Sequence, residues 1–248
     1  MSKIKRLFFD IETSPNIGMF WSSGVKQNID PNNIIKERAI ICICYKWGGE
    51  DEIHFLTWDK NQNDKKMLEK FIKIANEADE LVGHNGDKFD LAWIRTRCLY
   101  HNISFFPKYT TIDTLKHARS RFKFNSNKLD YIAKFLGLGE KISTGGLSLW
   151  KNIVLDKDKE SLDKMVEYCK NDVLILEKIF NKMSPTIPPK TNINDDKTLC
   201  PECGSGSFIY SKQRISALGV KRFQLQCKDC GKYNTVSDKT YQEIKTNK

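Results

Sequence analysis

The chain has 248 residues, of which 40% are hydrophobic and 11% aromatic, and its formal net charge is +10. This length suits one large domain, or a medium domain with a small module, and the apolar content excludes wholesale disorder. The pI of about 9.1 favours a polyanionic partner, with nucleic acid as the leading class. No run approaches the roughly 20 apolar residues of a membrane span, and Asp10 and Glu12 interrupt the apolar core that a signal peptide needs. We therefore expect a soluble, cytoplasmic protein without a membrane partner.

The first apolar run, residues 7–9, predicts a strand over residues 5–11 that ends in acids. Because strand side chains alternate between two faces, Asp10 and Glu12 point to the same side. Two carboxylates held close raise each other's pKa unless a cation lies between them. Hard divalent ions such as Mg²⁺ or Mn²⁺ prefer such oxygen ligands. A strand end with two solvated acids is the alternative interpretation.

The remaining elements follow from hydrophobic periodicity and turn residues. Residues 14–38 contain two prolines and two glycines and predict a loop, while residues 39–47 and 52–58 flank a Gly-Gly turn and predict an antiparallel hairpin beside the first strand. Helices are predicted over residues 64–78, 87–100, 127–138 (opened by a capping Asn127) and 161–183, short strands over 81–83 and 111–113, and a loop over 141–150. This order predicts an α/β domain with a mixed sheet.

Two further motifs hold polar residues at an element end or on one helix face. Residues 83–90 join a predicted strand to a helix, a junction where α/β sheets place their sites, and Asp87 and Asp90 share a helix face. Tyr168 and Asp172 are four residues apart in the last long helix and also share a face. Taken alone, a capping Asp87 beside a solvated Asp90 explains the first motif equally well, and pairs like the second are common on amphipathic helices.

In this order, residues 10–13 (Asp-Ile-Glu-Thr), 85–90 (Asn-Gly-Asp-Lys-Phe-Asp) and 168–172 (Tyr-Cys-Lys-Asn-Asp) resemble the three motifs of the DEDD exonucleases. Tyrosine in the third motif marks one subgroup of these enzymes. The residues of all three motifs are most similar to those in the proofreading domain of family B DNA polymerases. The resemblance implies an α/β, ribonuclease-H-like fold over residues 1–184, with a mixed sheet flanked by helices. It also implies 3′→5′ exonuclease activity.

By this resemblance, four acids and a tyrosine carry the chemistry. Asp10 would bridge two Mg²⁺ or Mn²⁺ ions, with Glu12 and Asp172 on the side of the attacking water. Asp90 would hold the second ion through water, and Tyr168 would orient the attacking water with its hydroxyl. Phosphodiester hydrolysis needs an activated water and charge stabilisation on the leaving oxygen, and two metals about 3.5 to 4 Å apart supply both.

The motifs also suggest substrate contacts. Thr13 and Asn85 would contact the terminal nucleotide, and Phe89 would stack on a base or act as a wedge, with a core phenylalanine as the alternative. Asp113 is expected to be structural, and Lys141 is a candidate contact to the nucleic-acid backbone. A mixed basic and aromatic cluster, typical either of a single-strand groove or of an ordinary solvated face, comprises Lys116, Arg119, Arg121, Phe122, Lys123 and Phe124.

The end of the chain predicts a separate module. Residues 185–196 are rich in proline and polar residues and read as a linker, and residues 197–248 contain two CxxC pairs. Four thiolates in paired CxxC turns are typical of closed, tetrahedral zinc sites, so the segment resembles a zinc ribbon held by one Zn²⁺. Two disulfides are the alternative, which an intracellular setting disfavours. The four zinc ligands would be Cys200, Cys203, Cys227 and Cys230, whereas Cys42, Cys44, Cys98 and Cys169 stand singly in apolar or helical patterns.

The tail is the most basic part of the chain by density, with 10 Lys or Arg against 4 Asp or Glu over residues 197–248. Lys212, Arg214, Lys221 and Arg222 could bind phosphates in a salt-dependent way. A ribbon that docks a protein or is purely structural is the alternative.

We expect a metal-dependent 3′→5′ exodeoxyribonuclease that acts on single-stranded or frayed 3′ ends. A stand-alone proofreading or DNA-processing nuclease of bacterial or viral origin, working beside a replication protein, fits this expectation. Two alternatives stay open: a 3′→5′ exoribonuclease of the same superfamily, because metal-assisted hydrolysis does not distinguish the sugars, and a non-catalytic nucleic-acid-binding module. Five placed catalytic groups argue against the latter.

Overall fold

A computed structural model of the protein describes residues 4–22, 24, 28–142 and 145–246. The strands of its first part are β1 (Arg6–Thr13), β2 (Ile17–Gly18), β3 (Ile34–Lys36), β4 (Ile40–Trp47), β5 (His54–Thr57), β6 (Glu80–Gly83) and β7 (Thr111–Asp113). Five of them form one sheet in the order β5-β4-β1-β6-β7, and β2 pairs with β3. The helices are α1 (Lys65–Asn76), α2 (Asp90–Tyr100), α3 (Thr114–Arg121), α4 (Leu129–Phe135), α5 (Leu147–Lys151) and α6 (Lys159–Met183).

The sheet is mixed, as the sequence predicts. Strand β4 runs antiparallel to both β1 and β5, so the predicted hairpin beside the first strand is confirmed. Strand β6 runs parallel to β1, and β7 runs parallel to β6. The carboxyl ends of β1, β6 and β7 therefore meet at one edge of the sheet, where α/β proteins place their sites.

Strand β1 divides the core in two. Leu7, Phe9 and Ile11 are buried against α1 and α2 on one face of the sheet. Phe8 is buried on the other face, where it packs edge-on against Phe180 of α6, with ring centroids 5.3 Å apart. Because alternation continues beyond Phe8, the next two residues on that face are the acids of the first motif, which thus emerge beside α6.

Three local predictions differ from the structure. Helix α3 is missing from the sequence prediction, because only two of its eight residues, Leu115 and Ala118, are apolar and buried, and Asp113 caps it by accepting from the Leu115 and Lys116 N–H groups. Helix α4 begins after Lys128 without a side-chain cap, so the predicted capping by Asn127 is wrong. The predicted loop over residues 141–150 contains the start of α5, which continues into a π-helical turn, Asn152–Asp156.

The C-terminal part is a small three-stranded sheet with a helix on one face. Strands β8 (Phe208–Ile215), β9 (Lys221–Cys227) and β10 (Tyr233–Ser237) pair in the order β10-β9-β8, and α7 (Asp238–Thr246) follows. Phe223 of β9 stacks on Tyr241 of α7 at a centroid distance of 4.0 Å, which covers the apolar face of this sheet. None of the helices in the described parts of the chain is long and apolar enough to cross a bilayer.

Candidate active site

Three carboxylates converge at the carboxyl end of β1. Asp10 and Glu12 come from β1 and Asp172 comes from α6, and each offers an oxygen atom within 4.8 Å of the others. Asp172 is 2% exposed, and among the described residues none hydrogen-bonds its Oδ1 atom. A buried carboxylate oxygen without a partner is costly, so this atom is free to ligate a cation. The structure thus brings together three of the four acids predicted for the site.

The fourth acid, Asp90, lies directly beside β1. Its Oδ1 atom accepts a hydrogen bond from the Ile11 backbone N–H at 3.1 Å, between the two acids of the first motif. The turn before α2 requires two glycines, because a Cβ on Gly83 would lie 3.0 Å from the Gly86 Cα atom. Asp87 instead pairs with Lys116 at 2.6 Å, so the structure places Asp90, and not Asp87, at the site.

The acids of this cluster hold their protons unusually tightly. Burial is the main cause that raises the pKa of Asp10 well above its usual value, and the charges of the neighbouring acids add to it. Burial likewise raises the pKa of Glu12 and that of Asp172, against the opposing charge of Lys141. The pKa of Asp90 rises to about 7, again through burial, although backbone N–H groups favour its charged form. Four acids that resist ionisation together indicate a site that lacks sufficient positive charge.

Lys141 is the one cation that hydrogen-bonds this cluster within the described residues. Its Nζ atom donates to Asp172 Oδ2 and, at 3.1 Å, to the Tyr168 hydroxyl. Tyr168 and Asp172 share the face of α6 that the sequence spacing predicts, and Lys141 ties them together from the preceding loop. Sequence reasoning identifies Lys141 only as a candidate backbone contact, since nothing in local periodicity links it to α6.

The structure shows contacts within the protein for the three residues predicted to contact substrate. The Thr13 carbonyl accepts a hydrogen bond from Trp150 Nε1 at 3.0 Å. Asn85 adopts a left-handed backbone with φ of 69° and donates its N–H to Asp113. Phe89 packs, partly buried, against the core on the side of α1 and α2. Contacts of these three residues to a nucleotide therefore stay predictions.

Three cysteines that stand singly in the sequence meet beneath the acids. Cys42, Cys44 and Cys169 are fully buried, and their sulfur atoms lie within 4.8 Å of one another. The Cys169 thiol donates to the Asp10 backbone carbonyl at 3.5 Å. The spacing of two residues in β4 could have placed the first pair on one face, but only the packing of α6 on the sheet adds the third.

The four tail cysteines form a second cluster. The Cys200 and Cys230 sulfur atoms are 3.7 Å apart, those of Cys203 and Cys227 are 3.6 Å apart, and all four thiols are free. A disulfide requires about 2.05 Å, whereas tetrahedral zinc with bonds of about 2.3 Å separates its sulfur ligands by about 3.8 Å. The cluster therefore fits a zinc ribbon and not two disulfides.

Comparison with known proteins agrees with this fold. Residues 7–184 match the family model described as the RNase_H superfamily. The chain belongs to the RNase H superfamily. Two similar curated proteins are the DNA polymerase of Archaeoglobus fulgidus, 26% identical over 74% of this chain and 23% of the polymerase, and that of Thermococcus hydrothermalis, 29% identical over 42% of this chain and 6% of the polymerase. This RNase H-superfamily chain thus spans less than a quarter of the length of these relatives.

A solved structure shows the same fold. The family B DNA polymerase from the archaeon Pyrobaculum calidifontis superimposes with a TM-score of 0.58 and 16% identity, over 74% of this chain and 25% of the polymerase. The family match, the polymerase relatives and this structural neighbour together support the resemblance to a proofreading-type exonuclease domain.

Proposed function

We propose that this protein is a metal-dependent 3′→5′ exonuclease that removes nucleotides from single-stranded or frayed 3′ ends of DNA, in a proofreading or DNA-processing role. The observation that carries the proposal is the acid cluster at the end of β1. Three carboxylates lie within 4.8 Å, their pKa values are raised, and Asp172 Oδ1 has no hydrogen-bond partner among the described residues. Mutual repulsion of these acids destabilises the fold, and bound divalent cations would offset this repulsion by neutralising the acids.

The donor set fits hard divalent cations. Asp10, Glu12, Asp90 and Asp172 would hold two Mg²⁺ or Mn²⁺ ions, because both ions prefer carboxylate oxygens. When bound, such a pair supplies an activated water and stabilises charge on the leaving oxygen. In the balanced reaction, water attacks the phosphorus, the bond to the 3′ oxygen of the preceding nucleotide breaks, and a nucleoside monophosphate leaves.

Tyr168 and Lys141 would prepare the site for substrate. The Tyr168 hydroxyl accepts from Lys141, and its hydrogen bond to Asp172 favours the charged form of that acid, so Tyr168 links the ammonium to the acid cluster. Burial raises the pKa of Tyr168, which keeps this hydroxyl protonated near neutral pH. Lys141 carries positive charge where the scissile phosphate must approach four acids.

The cysteine cluster of the tail is proposed to hold one structural Zn²⁺. The sulfur separations of 3.6 and 3.7 Å match a tetrahedral site, and four thiolates leave no open position for chemistry. Its role would be to fold the ribbon, since a hydrophobic core of this size is marginal alone.

One assay tests the activity. Single-stranded DNA, duplex DNA and RNA, each labelled at the 5′ end, are incubated with Mg²⁺ or Mn²⁺, and products are resolved at nucleotide resolution. We expect a ladder that shortens from the 3′ end of single-stranded DNA, dependent on added metal. Internal cuts would contradict an exonuclease, and degradation of RNA alone would indicate an exoribonuclease.

Two control variants separate the site from its surroundings. Asp10→Ala should abolish cleavage while the far-ultraviolet circular dichroism spectrum and the melting profile remain those of a folded protein. Asp87→Asn removes the acid of the second motif that pairs with Lys116 and lies outside the acid cluster, and it should keep activity within a few-fold. Metal-dependent activity retained in Asp10→Ala would refute the assignment.

A further inference from the structure

A groove of about 740 Å³ lies between two parts of the chain. One is the RNase H-superfamily part, residues 7–184, here called the nuclease part, and the other is the C-terminal ribbon, the small sheet β8–β10 with its four cysteines. One wall of the groove is the end of α3, with Arg121 and Phe122, and the opposite wall is the ribbon. The floor is the proline-containing segment of residues 185–189. The residues that line it include three cations, Arg121, Lys212 and Arg214, and no Asp or Glu. A groove with one sign of charge and an aromatic wall fits a polyanion with stackable bases.

The wall on the ribbon is the basic face of its sheet. Cross-strand register places Lys212 opposite Gln224, and Arg214 directly opposite Arg222. Like charges placed directly opposite destabilise a strand pair. No ion pair with an acid involves either arginine in the described chain, so the fold holds two facing guanidinium groups without a counter-charge. The opposite face carries the apolar contacts to α7, and the basic face is therefore the one left for a ligand.

Salt bridges fix the ribbon against the nuclease part and so define the groove. Glu202, in the first CxxC turn, binds Arg6 of β1 through two hydrogen bonds of 2.5 and 2.9 Å. Arg6 also pairs with buried Glu80 of β6 at 2.7 Å. Lys232, just after the second CxxC pair and only 2% exposed, lies 3.6 Å from Glu202 and bonds Ser184 Oγ at 3.4 Å. A bidentate Arg–carboxylate pair is directional, so the two walls are held at a set separation.

Helix α3 connects this groove to the active site. A second cavity, of about 600 Å³, is lined by Lys141 of the acid cluster and by Arg119 and Lys128. Arg119 and Arg121 lie near the end of the same helix, one in each cavity, and both are exposed. Arg119 and Arg121 are two positions apart, a rise of about 3 Å along the helix, so both cavities reach the same end of α3. Lys141, Arg119 and Arg121 therefore form a series of cations from the acid cluster, past the end of α3, to the ribbon, and Asp130 is the one acid among the residues that line the second cavity.

We propose that the groove between the nuclease part and the C-terminal ribbon binds the single-stranded nucleic acid behind its 3′ end, with Arg121, Lys212 and Arg214 contacting phosphates. This inference rests on the proposed function, because it gives the path of the strand whose terminus is cut. The ribbon then acts as a part of the substrate site that raises affinity for strands long enough to reach from the acid cluster to the groove.

The test compares two triple variants in the full-length protein. The groove variant is Arg121→Gln with Lys212→Gln and Arg214→Gln, and the matched control removes the same charge elsewhere with Lys66→Gln, Lys228→Gln and Lys239→Gln, all exposed and outside the groove. KM and kcat are measured on oligothymidylates of 3, 6, 12 and 20 nucleotides with Mn²⁺. We expect the groove variant to raise KM for the 20-mer about 10- to 100-fold, to raise it little for the 3-mer, and to change kcat less than KM.

A binding measurement gives an independent readout. In the Asp10→Asn background, the affinity for a fluorescein-labelled 20-mer is followed by anisotropy from 50 to 300 mM salt. Three lost phosphate contacts should lower the slope of log K against log salt by about 2, since a single strand contributes about 0.7 per contact. The control variant should keep the wild-type slope.

Each outcome decides the inference. Equal KM values for the groove variant and the wild type at every length, or an equal loss in the control variant, would overturn it while leaving the nuclease activity established. A wild-type protein that cleaves none of the oligonucleotides would contradict the proposed function itself, and the groove would fail as a substrate path with it. A length-dependent loss confined to the groove variant supports the proposal.

Discussion

Asp64 and the acid cluster at the end of β1 are both carboxylate sites, but their surroundings shift the pKa values of the acids in opposite directions. Asp64 is completely buried, and its two oxygens accept hydrogen bonds from Arg97 at 2.8 Å each, from His101 at 2.6 Å and from the Ile40 N–H at 3.0 Å. Burial opposes its ionisation, but the hydrogen bonds from Arg97, the Ile40 N–H and His101 together hold the pKa of Asp64 below its usual value. At the end of β1 the balance is reversed, and the pKa values of the acids are raised.

The difference lies in the cation that hydrogen-bonds each carboxylate site, Arg97 at Asp64 and Lys141 at the acid cluster. Arg97 offers a planar fork that meets both oxygens of Asp64, and this pairing satisfies the carboxylate permanently. Lys141 offers a single ammonium on a flexible stem to Asp172 and leaves Asp172 Oδ1 without a partner in the described chain. Asp64 is thus fully paired, whereas the acid cluster at the end of β1 is left short of positive charge.

The largest effect is expected for Asp10, whose charge should be needed for cleavage but not for folding. Asp10→Asn removes one of several repelling acids, so we expect the melting temperature in the absence of divalent metal to stay the same or rise. Cleavage should fall by about 10⁴-fold, because loss of metal binding removes several kcal/mol of transition-state stabilisation. Initial rates and differential scanning calorimetry on the same sample check both parts, and a lower melting temperature with unchanged cleavage would contradict the comparison.

Asp64→Asn should show the reverse pattern. Removing the charge leaves the Arg97 guanidinium buried beside a neutral amide, and breaking a buried pair costs about 3 to 5 kcal/mol. Urea unfolding should therefore show a lower free energy of unfolding. Cleavage per folded molecule should stay within a few-fold of the wild type. As a matched control, Asp59→Asn changes an exposed acid in the preceding turn and should leave stability almost unaltered.

Lys141→Met tests whether Lys141, unlike Arg97, is a cation that a bound metal can displace. Without the ammonium, the acid cluster loses its resident positive charge, and we expect the apparent Kd for Mn²⁺ to fall about tenfold, a change of about 1.4 kcal/mol. Isothermal titration calorimetry measures this affinity. The exposed Lys164→Met, on the same helix as Asp172, is the control and should bind Mn²⁺ as the wild type does. Weaker Mn²⁺ binding in Lys141→Met would show that Lys141 positions the acids instead of competing with the metal.

The smallest expected effect is a pH dependence. Because the pKa of Asp64 is lowered in the fold, its contribution to stability is present above its unfolded pKa of about 3.9 and is lost as the pH falls through the folded value. The difference in free energy of unfolding between the wild type and Asp64→Asn should therefore be constant from pH 7 to 5 and shrink below about pH 4. Urea titrations at pH 7, 5, 4 and 3 measure it, and a difference that grows in acid would contradict the assigned direction.

Part of this site is readable from local patterns along the chain. The alternation after Phe8 predicts that Asp10 and Glu12 share a face, and the helical spacing of Tyr168 and Asp172 predicts the same for α6; the structure confirms both placements. Asp64, by contrast, stands where a helix cap would, yet it makes no side-chain cap bond and instead pairs its carboxylate with Arg97. Local pattern cannot reveal that pairing, because the partner comes from another helix.

The three acidic motifs, the mixed α/β architecture and the paired CxxC turns can be predicted from the sequence. Residue periods of two and 3.6 and short spacings between metal ligands are local properties of a chain. The pairing of Lys141 with Asp172, the meeting of Cys42 and Cys44 with Cys169, and the basic groove between α3 and the ribbon appear only in the tertiary structure. Those features depend on which elements pack side by side. Packing is selected by burial and charge over the whole fold, and no window of neighbouring residues contains it.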